Sequence, residues 1–257
     1  MSNIDDFCQE CNVLNKTEGM IDDDIPLEKF KLWKFYKIER EHLEESSELN
    51  LFGQEINYSV FKYSNDNEIK KQLIVIPGFS KKSICWTLGR INFFLDKLST
   101  IYSDICIFNL EDLKKKTPII TQSGVSNYDL YTKIGYQLNK VIKHLNYDNI
   151  SLIGRSAGGA LALIISSLND KVNGLNLACP GYEEAMITDF INSSNKDIPV
   201  VISWSKEDTK IPLDKGLNLE KKLEEAGVNV TLHVISTGKE EDKYNHRIQQ
   251  VLIDNLV

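Results

Sequence analysis

The sequence predicts an α/β fold: a doubly wound, mostly parallel sheet of about eight strands with helices on both faces. Three observations carry this. From Gln72 onward, short apolar and β-branched runs alternate with stretches whose apolar residues recur at helical spacing. One junction between such a run and a helix, Gly154-Arg155-Ser156-Ala157-Gly158, has the small residues of a sharp strand-to-helix turn. The chain has 257 residues, which suits one large α/β domain or two small ones, and is 42% hydrophobic, enough for a sizeable core. Strands separated by helices imply right-handed crossovers and hence parallel neighbours.

The elements follow in order. Gln72 to Ile76 reads as a strand, Ser83 to Ile101 as a helical stretch carrying Trp86, Phe93, Phe94, Leu95 and Leu98, and Asp104 to Phe108 as the next strand. Tyr128 to Leu145 places Ile134, Leu138, Val141, Ile142 and Leu145 on one helical face. It leads into Asn149-Ile150-Ser151-Leu152-Ile153, a run of the kind buried on both faces of a parallel sheet. Gly159 to Ile165 reads as a buried helix. Gly174 to Cys179, Pro199 to Trp204 and Asn229 to Ile235 supply three more strands, with a helix from Leu213 to Ala226 and a closing helix from Tyr244 to Leu256. Ahead of the alternation, Glu48 to Phe52 and Glu55 to Tyr63 flank Gly53-Gln54 and read as a hairpin of antiparallel edge strands. Leu27 to Leu43, rich in aromatics and charges, reads as a helix. The predicted organisation is an N-terminal extension over 1–47, packing on or near the core, and a main domain over 48–257.

A serine at the Gly154 to Gly158 junction must turn from strand to helix within one residue, which forces unfavourable backbone angles and demands small neighbours. Its hydroxyl is then lifted above the sheet. Because the helix begins there, the Ala157 amide and the positive helix end would point at an oxyanion forming on a bound acyl group. The plainer alternative is a glycine-rich turn with an idle serine.

A serine hydroxyl needs a histidine to accept its proton and a carboxylate to orient that histidine. Of four histidines, His42 and His144 precede the turn, and His144 reads as a surface residue beside Leu145. His233 alternates with Thr231 and Ile235 inside the last strand and reads as a packed strand residue. His246 follows a polar loop, Thr237 to Lys243, which would carry it over the C-terminal edge of the sheet, where ligands bind in such folds. Its alternative is a helix cap or surface histidine. For the acid, Asp208 lies in the loop just beyond the strand Pro199 to Trp204; Glu207 beside it would point elsewhere, and Asp214 would open the next helix.

Gly154-Arg155-Ser156-Ala157-Gly158, then Asp208, then His246, in the order serine, acid, histidine, resembles the α/β-hydrolase superfamily over roughly Leu49 to Val257. The family's oxyanion loop follows its third strand. Here the matching run is Leu73-Ile74-Val75-Ile76-Pro77-Gly78-Phe79-Ser80, with Pro77 in place of the usual histidine. The resemblance implies that the Phe79 amide is the second oxyanion donor beside that of Ala157. It further implies a serine hydrolase acting on an ester, thioester or peptide bond of a small-molecule acyl substrate, with no metal or organic cofactor. The family's lid follows the sixth strand; only Pro180 to Asp197 is available here, too short for a large cap domain. Tyr182, Met186, Ile187 and Phe190 would partly cover the cleft or belong to the core. A non-catalytic ligand-binding or scaffold protein on the same fold is the alternative, against which the three triad residues in order argue.

Composition narrows the partners. The formal net charge is −7, and the one dense basic run, Lys114-Lys115-Lys116, reads as a solvated loop, so nucleic acid and anionic membranes are not expected partners. Lys81 and Lys82 would favour an anionic substrate unless they are simply solvated. No apolar run reaches membrane-spanning length, the N-terminus lacks a basic region followed by an apolar core, and a cytoplasmic location is expected. Five cysteines, Cys8, Cys11, Cys85, Cys106 and Cys179, read as reduced thiols; the Cys8/Cys11 pair has metal spacing, but nothing nearby completes a zinc site. Monomer and homodimer are both left open.

Overall fold

The apolar runs assemble into one eight-stranded sheet, described here from a computed structural model that covers residues 37–42, 55–62, 71–79, 94–98, 100–110, 126–236 and 250–257. Its strands are β1 (Lys37–His42), β2 (Glu55–Lys62), β3 (Gln72–Ile76), β4 (Asp104–Asn109), β5 (Ile150–Arg155), β6 (Val172–Ala178), β7 (Val200–Ser205) and β8 (Val230–Ile235). They lie in the order β1-β2-β4-β3-β5-β6-β7-β8. β1 pairs antiparallel with β2, and β2 antiparallel with β4; every other neighbour pair is parallel. The helices are α1 (Leu95–Leu98), α2 (Asn127–His144), α3 (Ala157–Leu168), α4 (Glu184–Ile191), α5 (Leu213–Glu225) and α6 (Gln250–Asp254).

Alternation along the strands builds two cores. Ile74, Ile76, Cys106, Phe108, Leu152, Leu175, Leu177, Ile202 and Trp204 face one side, against α2, α3, α4 and α5. Leu73, Val75, Ile105, Ile107, Ile153, Ala178 and Val201 face the other, against Phe94, Leu98, Leu252 and Ile253 of α1, α6 and their flanks. The predicted helices on both faces are therefore present. Ser126 caps α2 by accepting the Asp129 amide, and Leu130, Ile134, Leu138, Val141 and Ile142 form the buried stripe behind it. α3 is apolar on all sides because the sheet lies under it and α2 and α4 lie against it.

Two sequence expectations are corrected. Within Leu27 to Leu43, residues 37–42 form β1 rather than a helix; the rest of that stretch lies outside the described residues. The hairpin across Gly53-Gln54 is replaced by a longer-range pairing. β1 and β4 occupy both edges of β2, with Lys37 opposite Val60 and His42 opposite Glu55, which leaves no side of β2 for Glu48 to Phe52, itself outside the described residues. The sheet thus begins at Lys37, inside the stretch the sequence set apart as an extension. Only residues 179–199 join β6 to β7, and they hold α4, whose Met186, Ile187 and Phe190 are core.

The order β4-β3-β5-β6 means that the chain leaves β3 toward one edge and β5 toward the other. Connections that diverge in this way open a crevice at the C-terminal ends of the two strands, the place where doubly wound sheets take ligands.

Candidate active site

Ser156 stands at that crevice, between the end of β5 and the first residue of α3. Its φ of 55° and ψ of −123° fall where L residues rarely go. Backbone bonds hold it there: its amide donates to the Ala178 carbonyl at 3.0 Å, and its carbonyl accepts from Gly159 at 2.9 Å and Gly181 at 2.8 Å. The side chain is half-buried and makes no capping bond to the helix, so its hydroxyl is not used to satisfy the first amides of α3.

Both glycines of the motif are explained by close approach. A Cβ on Gly154 would come within 2.6 Å of the Ala162 Cβ and 2.7 Å of the Gly159 Cα. On Gly158 it would overlap the Ile76 carbonyl and lie 2.6 Å from the Pro77 oxygen. The first turn of α3 is thereby pressed against the end of β3. Since Ile76 pairs with Gly154 and β5 ends one residue later, Pro77 to Phe79 and Ser156 to Ala157 follow the ends of neighbouring strands. Phe79 is 8% exposed, and its ring stacks on Tyr131 of α2 with centroids 5.4 Å apart and planes 19° apart.

Asp208 follows β7 and is 4% exposed. Its Oδ1 accepts the amides of Lys210 at 2.8 Å and Ile211 at 3.0 Å, while its own amide donates to the Ser205 carbonyl at 3.2 Å. Trp204 Nε1 donates to the Ile211 carbonyl at 2.9 Å and pins the loop's far side. Glu207 does turn away: its carboxylate accepts from Ser205 Oγ at 3.3 Å and from Ser236 Oγ. Asp214 lies in the first turn of α5, as expected. Cys179, at the end of β6, has a positive φ of 42° and donates its amide to the Ser203 carbonyl at 3.0 Å. Burial, and to a lesser degree the Asp208 carboxylate, pushes the Cys179 thiol well above its ordinary pKa.

His246 lies outside the described residues, as do Lys81, Lys82, Cys8, Cys11 and Cys85. His144 is exposed in the last turn of α2, at the opposite edge of the sheet from Ser156. His233 is half-buried in β8 opposite Ser203. Cys106 and Cys179 are buried free thiols. Among the described residues no three His, Cys, Asp or Glu side chains gather as metal ligands, and no helix is long and apolar enough to cross a membrane. Tyr131 and Cys179 carry no motif, and their places beside Phe79 and Asp208 emerge only from the packing.

Comparison with known proteins finds chains of similar fold. The model of the dienelactone hydrolase family matches residues 117–238, a span that holds Ser156 and Asp208 and stops short of Phe79 and His246. A search among curated proteins finds no match. Among solved structures, an α-β serine hydrolase homologue from Coxiella burnetii is 15% identical with a TM-score of 0.56, over 88% of this chain and 99% of that one. A thermostable esterase is 15% identical with a TM-score of 0.55, over 87% of this chain; the match spans 64% of the esterase's length. Esterase 2 from Thermogutta terrifontis, phosphoramylated by tabun, is 12% identical with a TM-score of 0.50, over 80% of this chain and 85% of that one.

Proposed function

We propose that this chain is a serine hydrolase of the α/β-hydrolase superfamily that cleaves a carboxylic ester or related acyl bond through an acyl-enzyme on Ser156. The observation that carries the reading is the strained backbone of Ser156 at the N-terminus of α3, beside the end of β3 and two strands from the buried Asp208.

In this reading Ser156 Oγ attacks the substrate carbonyl carbon while His246 takes the hydroxyl proton and Asp208 orients the imidazole. The Ala157 and Phe79 amides bind the oxyanion of the tetrahedral intermediate. Collapse breaks the bond to the leaving group, which departs with the proton from His246. Water then attacks the acyl-enzyme by the same route and releases the acid. Asp208 suits its part because two backbone amides already fix one oxygen of its carboxylate.

The test is labelling with a fluorophosphonate, alongside hydrolysis of p-nitrophenyl esters of increasing chain length, for the wild type, Ser156→Ala, His246→Ala and Asp208→Asn. The first two variants should lose labelling and drop kcat by at least about 10⁴-fold, and Asp208→Asn by about 10⁴-fold. A folded wild type that neither labels nor turns over any ester would sink the triad and leave a ligand-binding protein on this fold.

A further inference from the structure

We propose that Tyr131 is a positioning residue for the oxyanion loop, its ring locking Phe79 so that the Phe79 amide stays aimed at the site. The inference rests on the serine hydrolase reading and adds to it a residue outside the serine, acid and histidine.

Three observations carry it. The parallel ladder ends at Ile76, so Pro77, Gly78 and Phe79 leave the support of the sheet. Phe79 is nevertheless buried, and the ring it stacks on belongs to Tyr131, in offset geometry with centroids 5.4 Å apart. Tyr131 in turn is fixed on α2 between the buried Leu130 and Ile134. It packs against both the main core and the Ala160, Ile164 and Met186 cluster. The stack therefore transmits the rigidity of an 18-residue helix to a loop whose job is to hold one amide in place. An amide displaced by a fraction of an ångström loses most where charge develops, in the transition state, and least in the ground state.

The ring, not the hydroxyl, is the working part. Burial, helped by the Glu183 carboxylate, pushes the Tyr131 phenol up to about 12. It therefore stays neutral over any ordinary working pH, and its contribution is flat with pH.

The experiment compares Tyr131→Phe, Tyr131→Leu and Phe79→Leu with the wild type. It measures kcat and KM on a p-nitrophenyl ester, the affinity of a trifluoromethyl ketone whose hemiketal oxyanion needs both amides, and the melting midpoint. Tyr131→Phe should stay within about twofold at every pH. Tyr131→Leu should lose about tenfold to a hundredfold in kcat with KM little changed, and ketone affinity should fall in parallel. Phe79→Leu should reproduce that loss, and the double variant should be no worse than either single one. Should Tyr131→Leu fail to fold, Phe79→Leu reads the same stack from its other side. An unchanged kcat, a loss confined to KM, or an equal loss in Tyr131→Phe overturns the inference while leaving a labelled, active wild type and the hydrolase reading intact. A wild type that does not label overturns both.

Discussion

Ser156 occupies φ 55° and ψ −123°, a conformation that costs a residue with a Cβ about 1–3 kcal/mol. Bonds to Ala178, Gly159 and Gly181 hold it, and the small residues around it make the fit possible. If the strain serves chemistry, the nucleophile position is not optimised for stability. Ser156→Gly, free of the Cβ, should be about 1 kcal/mol more stable than Ser156→Ala, which keeps it, while both are inactive. Urea unfolding midpoints at constant slope decide this. Equal midpoints would mean the surrounding bonds relax and no strain is stored.

At the scale of elements, the central strands and long helices were readable because burial on both faces writes itself as continuous apolar runs, and burial on one face as 3.6-residue spacing. The predicted helix over 128–145 is observed at Asn127–His144, and the predicted strand over Asp104 to Phe108 at Asp104–Asn109. β1 was not readable. Lys-Ile-Glu-Arg-Glu-His is a charged edge strand whose stability comes from pairing with residues well along the chain, which local pattern does not register. α4 was missed for another reason. It is eight residues long and has no side-chain cap, and it is helical because Met186, Ile187 and Phe190 are drawn into the core. In the site, the serine and the Asp208 loop were legible from motif and chain order, whereas Tyr131 depended on how α2 meets the β3 loop. A further link between elements is a buried asparagine chain. Asn195 Nδ2 donates to the Ser166 carbonyl at 2.9 Å and to the Asn169 carbonyl, Asn169 Nδ2 donates to Asn139 Oδ1 at 2.9 Å, and Asn139 Nδ2 reaches the Leu168 carbonyl at 3.3 Å. These bonds satisfy the C-terminal carbonyls of α3 and tie it to α2. Asn195→Ala takes the side-chain donor from the buried Ser166 carbonyl, while the Asn169 carbonyl keeps the Val172 amide at 3.1 Å, and should cost about 1–3 kcal/mol in urea unfolding. A change below about 0.5 kcal/mol would mean water replaces the amide.

Across the whole molecule, the two cores bury weak acids that must stay neutral to remain inside. Burial, and next the Asp104 carboxylate, pushes the Cys106 thiol far above its ordinary 9.0; burial raises Cys179 in the same way. Burial raises Tyr102 above the ordinary phenol value of 10.0 and Tyr131 from 10.0 to about 12. Each of these groups holds its proton more tightly folded than unfolded. The stability each contributes is therefore fully present below its unfolded pKa and is lost as pH rises through the interval up to its folded pKa. Lys71, whose pKa burial lowers, works in the opposite sense. Unfolding free energy should thus start to fall near pH 9, as the thiols of the unfolded chain ionise, and fall faster above pH 10, where the phenols join. Each fully buried group adds about 1.4 kcal/mol per pH unit. Urea unfolding between pH 8 and 11 reads the slope directly, and Cys106→Ala should make it shallower by about one group's worth from pH 9 upward. A stability that stays level to pH 11, or a slope that Cys106→Ala leaves untouched, would show that these interiors open to water before their acids ionise.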